Sequence, residues 1–396
     1  TNLGELSTPR GNVTMVGYAV NQSGIARATT SVVANGSVYL LAKDTSAATA
    51  GNVSRDSTRG GRVVLGESSR TEVLPEVNDT TATVDGNTGT GLAKSSEVRV
   101  LGQTIYMAGG AAINAPAARV DLMAVDNPMN LKSTLGEPST AASTMARVHV
   151  ASGARINVAG LTDVEVSAAR NAVEVELRGD ELKDSPVNQQ GPLRGEKAYV
   201  DINRALANAN AGKATLIAKD SLEAYQGKLE RSVVERSTAG GAVTIRSQGE
   251  TILEAGAVVD LSGGNLNYTP ANVKTTQLAS AGVLTDLADA SAETRYDGIA
   301  TRFVIDYTRW NKKEVIDLGQ SMRYDPGYTE GKNAGSLNIE SRGAAYMQAA
   351  IEGRTTVGEL QRASGIQPKG ATLTFGTPVP GDGVLNDYKL NQKVVV

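Results

Sequence analysis

Only one imidazole, His149, occurs in 396 residues, and there is no cysteine. A Ser/His/Asp nucleophile or a nitrogen-and-sulfur zinc site would have to be built on that single side chain. It lies between Val148 and Val150 in an alternating run, so it points to the face opposite theirs. No carboxylate cluster with ligand spacing lies nearby, and it reads as a solvated strand residue. Without a thiol there is no cysteine nucleophile, disulfide framework or thiolate metal site. No catalytic residue, metal site or cofactor is assigned.

Three other groups could bind something. Arg178-Gly179-Asp180 is a tripeptide resembling integrin-binding motifs and falls in an expected exposed loop before Pro186, a candidate adhesion loop. Ordinary residue frequencies supply it in roughly one chain in ten of this length, so a charged turn is the simpler reading. Asn114, Asn157 and Asp260 end three similar repeats and could meet calcium, but the Gly-Gly-x-Gly-x-Asp pattern of such sites is missing and a turn role is preferred. Tyr296, Phe303, Tyr307, Trp310, Tyr324 and Tyr328 gather the sole Trp and one of two Phe into a short segment. They read first as a small core; Tyr296, Tyr307, Trp310, Tyr324 and Tyr328 are also a candidate carbohydrate or docking platform, since aromatic rings pack on sugars. The pairs Gly109-Gly110, Gly240-Gly241 and Gly263-Gly264 lack phosphate-loop spacing and read as corners.

The elements that carry these groups follow from repetition. Gly110-Ala-Ala-Ile-Asn-Ala115, Gly153-Ala-Arg-Ile-Asn-Val158 and Gly256-Ala-Val-Val-Asp-Leu261 share a period of two that puts Ala154, Ile156 and Val158 on one face. Gly241-Ala-Val-Thr-Ile-Arg-Ser-Gln-Gly249 matches Gly335-Ser-Leu-Asn-Ile-Glu-Ser-Arg-Gly343, and Gly36 to Asp44 matches Gly212 to Asp220. Gly60 to Leu65 and Val98-Arg99-Val100 look like degraded copies. Aromatic content is 4% against 43 Gly, which suits a narrow core of small and β-branched side chains between tight turns. Asn35-Gly36 and Asp85-Gly86 lack the long flanking strands of hairpins.

An all-β right-handed parallel β-helix, a solenoid with loop excursions and one larger insertion, is therefore expected. The boundaries are a shaft over 1–264, an aromatic-rich insertion over 265–333 and resumed coils over 334–396. Ala257, Val259, Leu261, Val243, Ile245, Leu337 and Ile339 should be buried, and Thr244, Arg246 and Asn338 exposed. Residues 127–138 and 179–192 read as loops, and Asp201 to Asn210 as a short helix with its N-cap. The start at Thr1 and the end in Val394-Val395-Val396 read as a piece of a longer chain.

Residues 254 to 340 carry a family resemblance: Gly256 to Gly264, Thr275-Thr-Gln-Leu278, Tyr296-Asp-Gly-Ile-Ala300, Arg309-Trp310, Tyr324-Asp-Pro-Gly-Tyr-Thr-Glu-Gly331 and Asn333 to Ile339. This stretch, about a quarter of the chain, resembles filamentous-haemagglutinin-like large exoproteins of bacterial two-partner secretion. The resemblance implies export through an outer-membrane β-barrel transporter, location at the bacterial cell surface, and a role in adhesion, aggregation or biofilm through cell-surface glycan or protein receptors. The family's secretion-recognition domain is not seen in the segment. A structural and adhesive filament segment, not an enzyme, is the leading expectation, with a polysaccharide lyase or hydrolase on the same scaffold as the rival. Charge is balanced, −3 from 39 basic and 42 acidic residues. No basic stripe points to nucleic acid, and no apolar run points to membrane insertion of this segment.

Overall fold

The computed structural model describes residues 1–43, 60–84, 96–126, 144–319, 321–378, 388–389 and 394–395. Most of the regular structure is strand, and three seven-stranded parallel sheets dominate. The first holds Glu5–Thr8, Ile25–Thr30, Arg70–Pro75, Ala112–Asn114, Arg155–Asn157, Val258–Asp260 and Ala350–Glu352. The second holds Ala19–Gln22, Arg62–Leu65, Thr104–Met107, Arg147–Val150, Glu250–Leu253, Ala345–Met347 and Val394–Val395. The third holds Asn12–Gly17, Ser37–Ala42, Glu97–Gly102, Arg119–Ala124, Ala242–Ser247, Ser336–Ser341 and Thr372–Phe375. In each sheet the strands lie in chain order, and the chain visits the third, second and first sheets in turn before starting the next tier.

Period two decides which side chains meet. In the third sheet Val38, Val98, Val120, Val243 and Leu337 stand in one column and Leu40, Val100, Leu122, Ile245 and Ile339 in the next. All of these are buried and join Ile113, Ile156 and Val259 of the first sheet in one apolar core. Each such burial stabilises by about 1.5–3 kcal/mol, so the stack is held by many similar small contributions. The alternate residues are less open than the pattern predicts. Thr244 is buried between Asp121 and Asn338, while Arg246 reaches Glu340 at 3.3 Å and Asn338 donates to it at 2.8 Å. Adjacent tiers shade the outer face, which an isolated strand pattern does not register.

The recurring glycine has a conformational reason. Gly110, Gly153 and Gly256 have φ of 85°, 83° and 86°, the left-handed region that side chains avoid. Each sits third in a four-residue turn closed by the Ala111, Ala154 or Ala257 amide, donating at 3.0 to 3.1 Å to the carbonyl three residues back. These are turns of the kind that need Gly at that place. They stack, with the Gly110 amide on the Gly153 carbonyl and the Gly153 amide on that of Gly256.

Two long excursions leave this stack and close at their bases. The Gly241 amide donates to the Val158 carbonyl at 2.8 Å, and the Lys332 amide to the Gly264 carbonyl at 2.9 Å. The first contains an antiparallel pair, Ala172–Glu176 with Lys197–Asp201, and helices α1 (Ile202–Asn210), α2 (Lys219–Gln226) and α3 (Val233–Arg236). Asp201 caps α1 by accepting from the Arg204 amide, where the sequence places it. The second contains Asn265–Thr269, which pairs parallel with Val164–Ser167 and antiparallel with Tyr328–Gly331, and a hairpin of Arg302–Tyr307 with Lys312–Asp317.

Four expectations need correction. The stretch Gly212 to Asp220 is not a stack strand like Ser37–Ala42; Leu216, Ile217 and Ala218 are buried in succession without alternation and lead into α2. Between the Gly241 and Gly256 units lies another stack strand, Glu250–Leu253, whose buried Thr251 masks the apolar pattern. Residues 265–333 do not form a lobe of their own: Leu278, Leu287 and Tyr296 share one core with Leu177, Leu193, Val200, Leu206 and Leu222 of the first excursion. Residues 179–192 form turns, as expected of a loop, but bury Leu182 in that shared core. The polar stretch 127–138 and Asp85-Gly86 lie outside the described residues.

Candidate functional site

His149 faces outward from the second sheet but is not simply solvated. Its Nε2 lies 2.6 Å from Glu254 Oε1, and its ring packs edge-on against Tyr106 in the neighbouring strand. The Ser152 amide and this imidazole hold the Glu254 carboxyl below its ordinary range. Arg178-Gly179-Asp180 is exposed, yet Arg178 is engaged. Its guanidinium donates to Glu176 at 2.6 Å and its amide to Glu181 at 3.0 Å.

Asn114, Asn157 and Asp260 stand in register in three adjacent strands of the first sheet. Asn157 donates to Asn114 at 3.1 Å, and its own Oδ1 and that of Asp260 accept amides two residues on, from Ala159 and Ser262. These are side-chain turns, the role preferred from sequence. Among the described residues no group of three or more acidic or imidazole side chains is placed to hold a metal ion, and no helix is long and apolar enough to cross a membrane.

The aromatic platform is split. Tyr296 is buried in the shared lobe core, its hydroxyl accepting from the Ser291 amide at 2.9 Å. Tyr307 and Trp310 sit together at the hairpin end with ring centres 6.0 Å apart, Trp310 being 67% exposed. Tyr324 is exposed elsewhere. Tyr328 stacks on Tyr268 with ring centres 4.4 Å apart and 19° between planes. Alternation along one strand does not show which rings the antiparallel pairing of Asn265–Thr269 with Tyr328–Gly331 sets side by side.

That stacked pair belongs to a site where the two excursions meet. The Tyr328 hydroxyl accepts from Asn171 and from Asn203 of α1, both at 2.8 Å. The Tyr268 hydroxyl donates to Glu330 at 3.0 Å, and Lys332 donates to the same carboxylate at 2.5 Å. Burial, and then Glu330, pushes the Tyr268 phenol well above its usual value; burial and the neighbouring Tyr268 do the same to Tyr328. Both phenols therefore stay protonated, and that of Tyr268 is the donor to Glu330. On the next wall Glu235, in the first turn of α3, accepts the Ser232 amide at 2.8 Å in a capping box and pairs with Arg170.

Between these walls lies a cavity of about 300 Å³, bounded by Arg170, Arg231, Arg236 and Lys332, the two glutamates, Tyr268, Leu229 and Leu266. Asn203, Gln226 and Glu330 also line an adjoining cavity of about 270 Å³ that runs past Tyr328 to Leu360 and Ile366. Each glutamate is already paired with a cation, so the arrangement holds a ligand more readily than it donates protons. Reading from sequence named Tyr328 here but missed Tyr268, Glu235, Glu330 and Lys332, which come together only through chain crossings far apart in sequence. The alternation of Leu266 with Tyr268 was the local signal that an aromatic faced inward there.

A second, open groove of about 700 Å³ runs beside the third sheet, lined by Glu97, Arg99, Arg119, Gly241, Ser336 and Thr372. Asp121 is the register partner of Arg99, 2% exposed, and its Oδ1 has no hydrogen-bond partner. Burial pushes its carboxyl up, against the opposing pull of Arg246, Arg119 and Arg99. The chain matches no protein-family model, no curated protein and no solved structure.

Proposed function

We propose that this chain is a structural and adhesive segment of a secreted bacterial surface filament, built as a right-handed parallel β-helix. In this reading an outer-membrane β-barrel transporter of the two-partner type exports it, and its lobe meets cell-surface glycan or protein receptors in adhesion, aggregation or biofilm formation. The observation that carries the proposal is the common register of the three parallel sheets, visited in the same order in every tier. Coils of this kind add roughly 4.8 Å each along an axis, so they provide reach by repetition. The excursions close on their own bases and can carry recognition without interrupting that axis, as binding loops on rigid scaffolds do.

The test is binding without turnover. Purified chain applied to immobilised glycans and cultured cells should bind saturably, and incubation with plant, algal and bacterial polysaccharides should release neither reducing ends nor unsaturated products. Absence of binding to every surface would overturn the adhesive reading.

One observation favours a polysaccharide-degrading enzyme instead: a buried carboxylate, Asp121, is the register partner of Arg99, which lines the open groove. Depolymerisation that is abolished by Asp121→Asn would establish that reading in place of the first.

A further inference from the structure

We propose that the 300 Å³ cavity between the two excursions binds a single acidic sugar residue, a carboxylated pyranose. Its volume lies at the small end of ligand sites, enough for one ring and not for a chain segment. Four cationic side chains, Arg170, Arg231, Arg236 and Lys332, face two carboxylates, Glu235 and Glu330, so the cavity favours an anion. Arg170 spends one terminal nitrogen on Glu235, while its Nε is buried with no hydrogen-bond partner. A buried donor left unpaired is costly, and an incoming carboxylate supplies the missing acceptor in the planar geometry that a guanidinium prefers.

The same walls discriminate against other anions. Glu235 and Glu330 repel the second charge of a phosphate, whereas their oxygens accept hydrogen bonds from sugar hydroxyls. Leu229, Leu266 and the Tyr268 ring form an apolar side on which the C–H face of a pyranose can lie. Cations for a carboxylate, acceptors for hydroxyls and an apolar wall for the ring together describe an acidic sugar better than a phosphate or a simple organic acid. That such a residue ends a surface glycan rests on the adhesive reading; that the cavity accepts it does not.

Calorimetric titration of the whole chain with methyl glucuronoside, methyl glucoside and inorganic phosphate tests the assignment. The glucuronoside should bind with Kd of about 1 mM or tighter, the neutral glucoside at least about ten-fold more weakly, and phosphate should not compete. Ala239 is exposed at the cavity lining, so Ala239→Trp should fill the space and abolish binding with melting unchanged. Arg231→Gln should weaken binding by about ten-fold, the loss of one charge-assisted contact. Equal affinity for acidic and neutral glycosides, competition by phosphate, no detectable glucuronoside binding, or full binding by the folded Ala239→Trp variant would each overturn the proposal. A chain that binds glucuronoside yet adheres to no surface would sink the adhesive reading alone. Undiminished adhesion without glucuronoside binding would sink only the cavity.

Discussion

Asp201 shows how one residue can serve two structures at some expense to stability. It caps α1 and pairs with Arg323, but that guanidinium also faces Asp286 at 3.5 Å and Asp325 at 3.6 Å. One cation among three carboxylates does not offset the loss of water, and burial pushes the Asp201 carboxyl up to about 6. A folded value above the unfolded one means that the contribution to stability is complete below about pH 4 and is lost as pH rises through about 6. The span corresponds to roughly 3 kcal/mol. Asp201→Asn keeps a capping side chain and removes the titration. Denaturant unfolding between pH 4 and 7 should therefore give a falling profile for the native chain and a flatter one for the variant; parallel profiles would refute the account. The N-cap was legible as Asp followed by Ala and Leu spacing, whereas Arg323 lies far along the chain and no local pattern announces it.

At the scale of elements, the stacked turns at Gly110, Gly153 and Gly256 are the clearest case of a motif with a mechanism. A Cβ added at Gly153 would meet nothing closer than 3.6 Å, so substitution there tests conformation without a clash. Gly153→Ala should cost about 1–2 kcal/mol, with Asn tolerated better and Val worse, since left-handed backbone penalises β-branched side chains most. Thermal melting of the three variants checks the order; equal losses would mean that the turn does not require its left-handed residue. Leu122 tests packing in the same tier. Buried in the apolar core, it should lose about 2–5 kcal/mol on Leu122→Ala, measured by urea unfolding, and a change under 1 kcal/mol would contradict a tightly filled core. Alternation made Ile245 and Ile339 of this column readable in advance, but it could not show that Thr244 and Asn338 would be shaded by their neighbours or that Thr251 would occupy an inward place.

For the whole molecule, the shared core of the two excursions changes what deletion should do. Taking out 265–333 alone, with a short Gly/Ser linker, uncovers Leu177, Leu193, Val200 and Leu206, an apolar patch that favours association. Taking out 159–240 as well leaves two closures, Val158 to Gly241 and Leu261 to Gly335, already within hydrogen-bond reach, and long loops add little closure cost to begin with. The double deletion should keep its β circular dichroism and stay monodisperse, while the single deletion binds a hydrophobic dye and aggregates. The reverse result would place the lobe inside the cooperative unit of the stack.

Composition, the Gly-Ala-x-Ile/Val-Asn/Asp repeat and strict alternation were enough to predict parallel β strands and the residues that point inward from them, because turn conformation and side-chain period act within a few residues. That the copies stand in register, Ile113 beside Ile156 and Ile156 beside Val259, is seen only in the folded sheet. The division of the aromatic platform, the joint lobe and the cavity between Tyr268, Arg170 and Lys332 were decided by tertiary structure. They depend on which distant segments pack together, and that choice is made by apolar burial and charge pairing across the fold, where no sequence period records it.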